Sequence, residues 1–117
     1  MKSDTSLEDV ENFLNRFHPK LGIFNIIFRN RDKNIQALLD LEITPDKRLK
    51  IIENLKPIDY YGGPEELIDF PGQDCWEFGV NYKDAEIYIK ISLGNLNNST
   101  ICISFHRAER KMKFPYK

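Results

Sequence analysis

Apolar residues recur at helical spacing in the first half of this 117-residue chain and at alternating spacing in the second. Val10, Phe13, Leu14 and Phe17 predict a helix from Leu7 to about Phe17, with Ser6 as cap and Asp9 charging the first turn. His18-Pro19 predicts its end. Leu21 to Arg29 is dense in β-branched and aromatic residues and reads as a buried strand. A second helix is expected from Lys33 to about Glu42, capped by Asn30 or Asp32, with Ile35, Leu38, Leu39 and Leu41 on one face. Thr44-Pro45 pairs a capping residue with proline at the first helical position. The third helix therefore starts there and runs to about Leu55, with Leu49, Ile52 and Leu55 inward; Pro57 ends it.

Residues 56–74 read as a long loop, broken by Gly62-Gly63-Pro64 and Pro71-Gly72. Alternation then returns in three runs: Cys75 to Tyr82, Glu86 to Leu93 and Thr100 to His106. Lys83-Asp84 and 94–98 are the turns between them. The expected fold is α+β: N-terminal helices and one early strand packed on a C-terminal antiparallel β-meander, a single domain over 1–117.

Strand parity sorts the meander residues onto two faces. Ile87, Ile89 and Ile91 share one face, which leaves Tyr88 and Lys90 on the other. In the last strand Ile101, Ile103 and Phe105 oppose Cys102, Ser104 and His106. In the first, Trp76, Phe78 and Val80 oppose Cys75, Glu77 and Gly79. Glu77, Tyr88, Lys90 and His106 are thus expected on one surface. That set holds a carboxylate, a phenol, an ammonium and an imidazole, whose ordinary pKa lies near neutrality. RNA cleavage by 2′-hydroxyl attack needs a base, an acid and positive charge. The plainer reading makes these residues the solvated face of amphipathic strands.

Charge changes the picture through its distribution. The chain sums to −1, but five cations and one anion between His106 and Lys117 give that segment +4 and leave −5 on residues 1–105. Arg107, Arg110, Lys111 and Lys113, with Lys90, are the candidate RNA-binding cations. Lys56 to Gly79 holds one cation and six carboxylates, a candidate contact surface for a basic partner. With 41% hydrophobic and 30% charged residues the composition is that of a globular domain, which argues against disorder. No run approaches the roughly 20 apolar residues of a membrane span, so no membrane partner is expected. The polar start, without a signal core, suggests a cytoplasmic protein with Cys75 and Cys102 as reduced thiols. The Asn97-Asn98-Ser99-Thr100 sequons then read as turn residues. There is no Gly-rich phosphate loop, no Cys-x-x-Cys and no His-Glu-x-x-His, so neither a cofactor nor a metal site is expected. Ser104 or Cys102 beside His106 lacks the elbow of a nucleophilic enzyme.

The segments Asp59-Tyr60, Gly63-Pro64, Trp76-Glu77-Phe78-Gly79, Tyr88-Ile89-Lys90-Ile91 and Ile103-Ser104-Phe105-His106 resemble toxins of the MqsR family, over roughly residues 35–117. The tail from Ala108 to Pro115 looks like that of a divergent, longer branch. The resemblance implies a RelE-like mRNA interferase of a type II toxin–antitoxin system: an α/β fold with an antiparallel sheet, metal-independent RNA cleavage, and a cognate antitoxin, helix-turn-helix in type and encoded nearby. The family site has a lysine after the Asp-aromatic-Tyr segment, a glutamine after the tryptophan, a tyrosine before the Leu-Lys pair, and a terminal lysine. Those places fall here near Gly62, at Glu77, at Tyr88 and at His106. The tyrosine is kept, two positions change type and one lysine is lost. The resemblance thus assigns catalysis to His106, Tyr88 and Glu77, and leaves as alternative a nucleic-acid- or protein-binding module that has lost the active site.

Overall fold

The structure, a computed structural model, describes residues 5–67 and 70–117. The polar start Met1–Asp4, and Ile68 and Asp69 of the expected 56–74 loop, lie outside the described residues. Helix α1 spans Leu7–Phe24, β1 Ile26–Phe28, α2 Asp32–Asp40 and α3 Pro45–Glu53. A 3-10 turn at Pro57–Asp59 leads into β2 Tyr60–Leu67, β3 Phe70–Tyr82, β4 Ala85–Ser92 and β5 Thr100–Arg107. The five strands form one mixed sheet in the order β1-β5-β4-β3-β2, with β1 parallel to β5 and every other pairing antiparallel. The α+β class is as expected. The early strand does not pack on the meander; it joins it as an edge.

Helix α1 starts as expected, with Ser6 and Asp9 exchanging hydrogen bonds in a capping box. It does not stop at His18-Pro19. An internal proline typically costs a helix about 3 kcal/mol. Here its ring is exposed, and one further turn buries Leu21 below Phe17; a buried leucine returns about 2 kcal/mol. Asn25 then ends the helix at φ 66°, its N–H bonded to the Leu21 carbonyl. The expected strand from Leu21 to Arg29 is therefore cut to three residues.

Helix α2 corrects the expected face. Ile35 and Leu39 are 46% and 68% exposed, and Asn34 and Ala37 turn inward. The reason lies on β5. Parallel pairing with β1 ends at Phe28–Cys102, so the β5 edge beyond it needs partners. Asn34 supplies them: its amide donates to the carbonyls of Arg29 (3.1 Å) and Ile103 (3.0 Å), and its carbonyl accepts from the Phe105 N–H (3.0 Å). One side chain continues the ladder where the backbone does not. The helix is capped by Arg31 backbone, not by Asn30 or Asp32. Helix α3 follows expectation, with the Thr44 side chain accepting from Lys47 N–H and Ile52 and Leu55 buried.

The 56–74 loop is the main correction. Apart from the undescribed pair, it forms the 3-10 turn, β2 and the start of β3. Strand β2 is an edge strand with three register irregularities, where glycine and proline are tolerated. The Lys83-Asp84 turn takes positive φ at both residues, the two-residue hairpin geometry. One face of the sheet buries Phe78, Ile87, Ile89, Ile91 and Phe105 against Val10, Phe13, Leu14 and Phe17 of α1 and Ile52 of α3. Phe13 stacks on Trp76 at 4.6 Å between centroids. The opposite face carries the candidate chemistry.

Candidate functional site

Register decides which side chains meet on that far face. Glu77 of β3 lies opposite Lys90 of β4, and Tyr88 opposite His106 of β5. The sequence-based grouping of Glu77, Tyr88, Lys90 and His106 therefore holds. One part of the parity does not. β5 carries a bulge: Lys90 pairs with Ser104, but Ile91 pairs with Cys102, which leaves Ile103 extra. Cys102 thus turns into the core, and Ile101 and Ile103 gather with Cys75 in a second apolar cluster. Ser104 and His106, beyond the bulge, keep the expected face. Ser104 is buried, and Arg31 donates to its hydroxyl at 3.1 Å.

The Tyr88 hydroxyl donates to the Glu77 carboxylate. Its ring lies 5.3 Å from the His106 ring and meets Tyr61 edge-on at 6.3 Å. Burial, and then the Glu77 hydrogen bond, hold the phenol far above its ordinary pKa. Tyr88 is thus a neutral donor at every physiological pH. The His106 Nδ1 sits 2.8 Å from the Arg107 carbonyl. A carbonyl accepts, so Nδ1 carries the hydrogen, and in the neutral ring the lone pair is on Nε2. Lys90 adds a cation to the same face. Carboxylate, donor phenol and imidazole form a continuous line across three strands.

Gly62 of β2 faces Glu77 directly, and a Cβ there would come 2.5 Å from Glu77 Oε1. The carboxylate thus occupies the space where a side chain at 62 would start. Glu77, Tyr61 and Gly62 open on a groove of about 1490 Å3 between the start of α1 and β2. His106 borders a separate cleft of about 410 Å3, walled by Asp32, Gln36 and Ala37 of α2.

The tail cations do not act as one cluster. Arg107 pairs with Ile87 and, like His106, lines the α2 cleft. Arg110 is exposed beside Glu109, whose carboxyl Lys33 holds below its usual range through a hydrogen bond. Lys111 and Lys113 are exposed on either side of buried Met112. Met112 rests on Gly79, where a Cβ would come 2.6 Å from its terminal methyl. Phe114 reaches Tyr61 at 6.4 Å. Tyr61 and the Met112–Phe114 contacts were missed from the sequence. Their signal was alternation: Tyr60 inward and Tyr61 outward, then Met112, Phe114 and Tyr116 at every second place.

No described helix is long and apolar enough to cross a membrane. Comparisons with family models, with curated proteins and with solved structures return no match to this chain.

Proposed function

We propose that the chain is a metal-independent endoribonuclease that cleaves RNA by 2′-hydroxyl attack. The observation that carries this reading is the joined line of Glu77, Tyr88 and His106. His106 Nε2 takes the 2′-hydroxyl proton as the oxygen attacks phosphorus. The Tyr88 hydroxyl, which donates to Glu77 in the free protein, turns its one proton to a non-bridging oxygen as charge builds there. Lys90 neutralises the phosphorane-like state. The P–O5′ bond breaks, the 5′-oxygen takes a proton from solvent water, His106 later returns its proton to solvent, and a 2′,3′-cyclic phosphate remains. The resemblance of residues 35–117 to MqsR-type toxins supports the same chemistry, a RelE/MqsR-like grouping for the fold, a cytoplasmic setting, and an antitoxin partner. Incubation of purified protein with RNA in EDTA tests the reaction. Fragments ending in cyclic phosphate are expected. Intact RNA with wild type and His106→Ala alike would refute the reading.

One observation favours a second reading, a binding module without turnover. The resemblance places a catalytic lysine near Gly62, and at Gly62 the Glu77 carboxylate fills the space where a side chain would start. Saturable, salt-sensitive RNA binding with no cleavage products supports that version.

A further inference from the structure

The C-terminal segment after β5 is not a loose cationic tail. It is fastened along its length. Ala108 N–H bonds to the Glu86 carbonyl at 2.9 Å, and Met112 N–H to the Glu86 carboxylate at 3.1 Å. Met112 is 5% exposed and seated on Gly79. Phe114 packs on Tyr61, and Tyr116 packs on Tyr60 at 5.8 Å while its hydroxyl donates to the Thr5 carbonyl. Lys117 lies 4.6 Å over the Phe114 ring and 3.9 Å from an Asp59 oxygen. Met112, Phe114 and Tyr116 thus point inward, and Lys111, Lys113 and Pro115 point out.

This alternation has a chemical consequence. In an extended chain every second residue lies about 7 Å further on, an interval comparable to that between neighbouring phosphates of an extended single strand. Lys111 and Lys113 form no ion pair among the described residues. Lys117 is engaged by Asp59, and Arg107 lines the α2 cleft beside Asp32 and Asp40. The half-buried ring of Tyr61, which meets Tyr88 edge-on, lies on the same sheet face as Tyr88, and aromatic rings beside a phosphate-tracking groove can stack on bases.

We propose that Lys111 and Lys113, held in register by the seating of Met112 on Gly79, form a prefolded rail that grips successive phosphates of a single-stranded polynucleotide beside Tyr88. The ligand class rests on the RNA reading; the rail rests on the strap geometry. Gly79 is then a positioning residue. A side chain there meets both the Met112 terminus and, at 3.0 Å, the Phe114 ring, so the strap that carries the two lysines must shift without losing a charge.

The test is fluorescence anisotropy with a labelled single-stranded 2′-O-methyl oligonucleotide of about a dozen nucleotides, which has no 2′-hydroxyl to attack. Lys111→Gln with Lys113→Gln is expected to weaken binding about tenfold or more and to lower the salt slope by roughly 1–2. These two positions are on the surface, so folding is not at issue. Gly79→Val, checked for folding by circular dichroism, is expected to lose a comparable factor with every lysine present. Lys50→Gln, on α3, removes the same charge elsewhere and is expected to stay within about twofold of wild type. Wild-type affinity in the lysine double variant overturns the rail, as does wild-type affinity in a folded Gly79→Val or equal affinity for duplex RNA. Binding with the predicted losses but no cleavage of ordinary RNA would refute the enzyme and keep the rail.

Discussion

Tyr88 is the residue on which the site turns. Its phenol is half-buried against Tyr61 and His106 and bound to Glu77, and both effects favour the protonated form. The sign of its pH effect follows. A group whose folded pKa is raised adds stability that is complete below its unfolded value, about 10 for tyrosine, and lost as pH rises beyond it. The stability advantage of wild type over Tyr88→Phe is therefore expected to be constant from pH 7 to about 9 and to shrink above about 10. Thermal melts of both proteins across that range check it; a gap that widens with pH contradicts it. The two thiols belong to the same scale. Burial pushes the Cys102 thiol up to about 12 and raises that of Cys75. Both cysteines are 1% exposed. Neither is expected to react with a disulfide reagent at pH 8 until denaturant is added, and rapid native labelling of Cys102 would contradict the β5 bulge that turns it inward. The pairing of Glu77, Tyr88 and His106 was legible in the sequence because period-two alternation survives wherever register is regular. Cys102 was misplaced because a bulge leaves no mark on composition.

Elements were misread where a tertiary need outweighed a local signal. Pro19 is a strong stop signal, yet burial of Leu21 carries α1 past it. Pro19→Ala is thus expected to stabilise the protein by about 1–2 kcal/mol, after the loss of proline's stiffening of the unfolded chain. Denaturant unfolding measures this, and destabilisation would mean that the proline marks a required bend. Asn34 is the second case. A polar residue at an inward helical position reads as surface, and nothing local tells that an unpaired strand edge awaits it. Asn34→Ala leaves the Ile103 carbonyl and Phe105 N–H buried without partners. A loss of about 3 kcal/mol is expected in denaturant unfolding, against less than about 1 kcal/mol for an exposed helical substitution such as Gln36→Ala. The hairpin of β2 and β3 was hidden by glycines and prolines that an edge strand accepts and a central strand does not.

At the scale of the molecule, the split between a −5 body and a +4 end resolves into geometry. The acidic stretch becomes the β2 edge and the groove beside Glu77; the basic stretch becomes a fastened strap across the far face of the sheet. Charge sums foretold the polarity, but not that Lys117 returns to Asp59 or that Arg107 lines the α2 cleft. The strap brings Lys111 and Lys113 to the face where β3, β4 and β5 present carboxylate, phenol and imidazole. The central claim is that these three groups act as one catalytic unit. Single-turnover RNA cleavage in EDTA by wild type, Tyr88→Phe, His106→Ala and the double variant tests it most directly. Each single change is expected to slow cleavage about 10²-fold or more, with the double variant losing much less than the product of the two. Cleavage at the wild-type rate by either single variant would contradict the account.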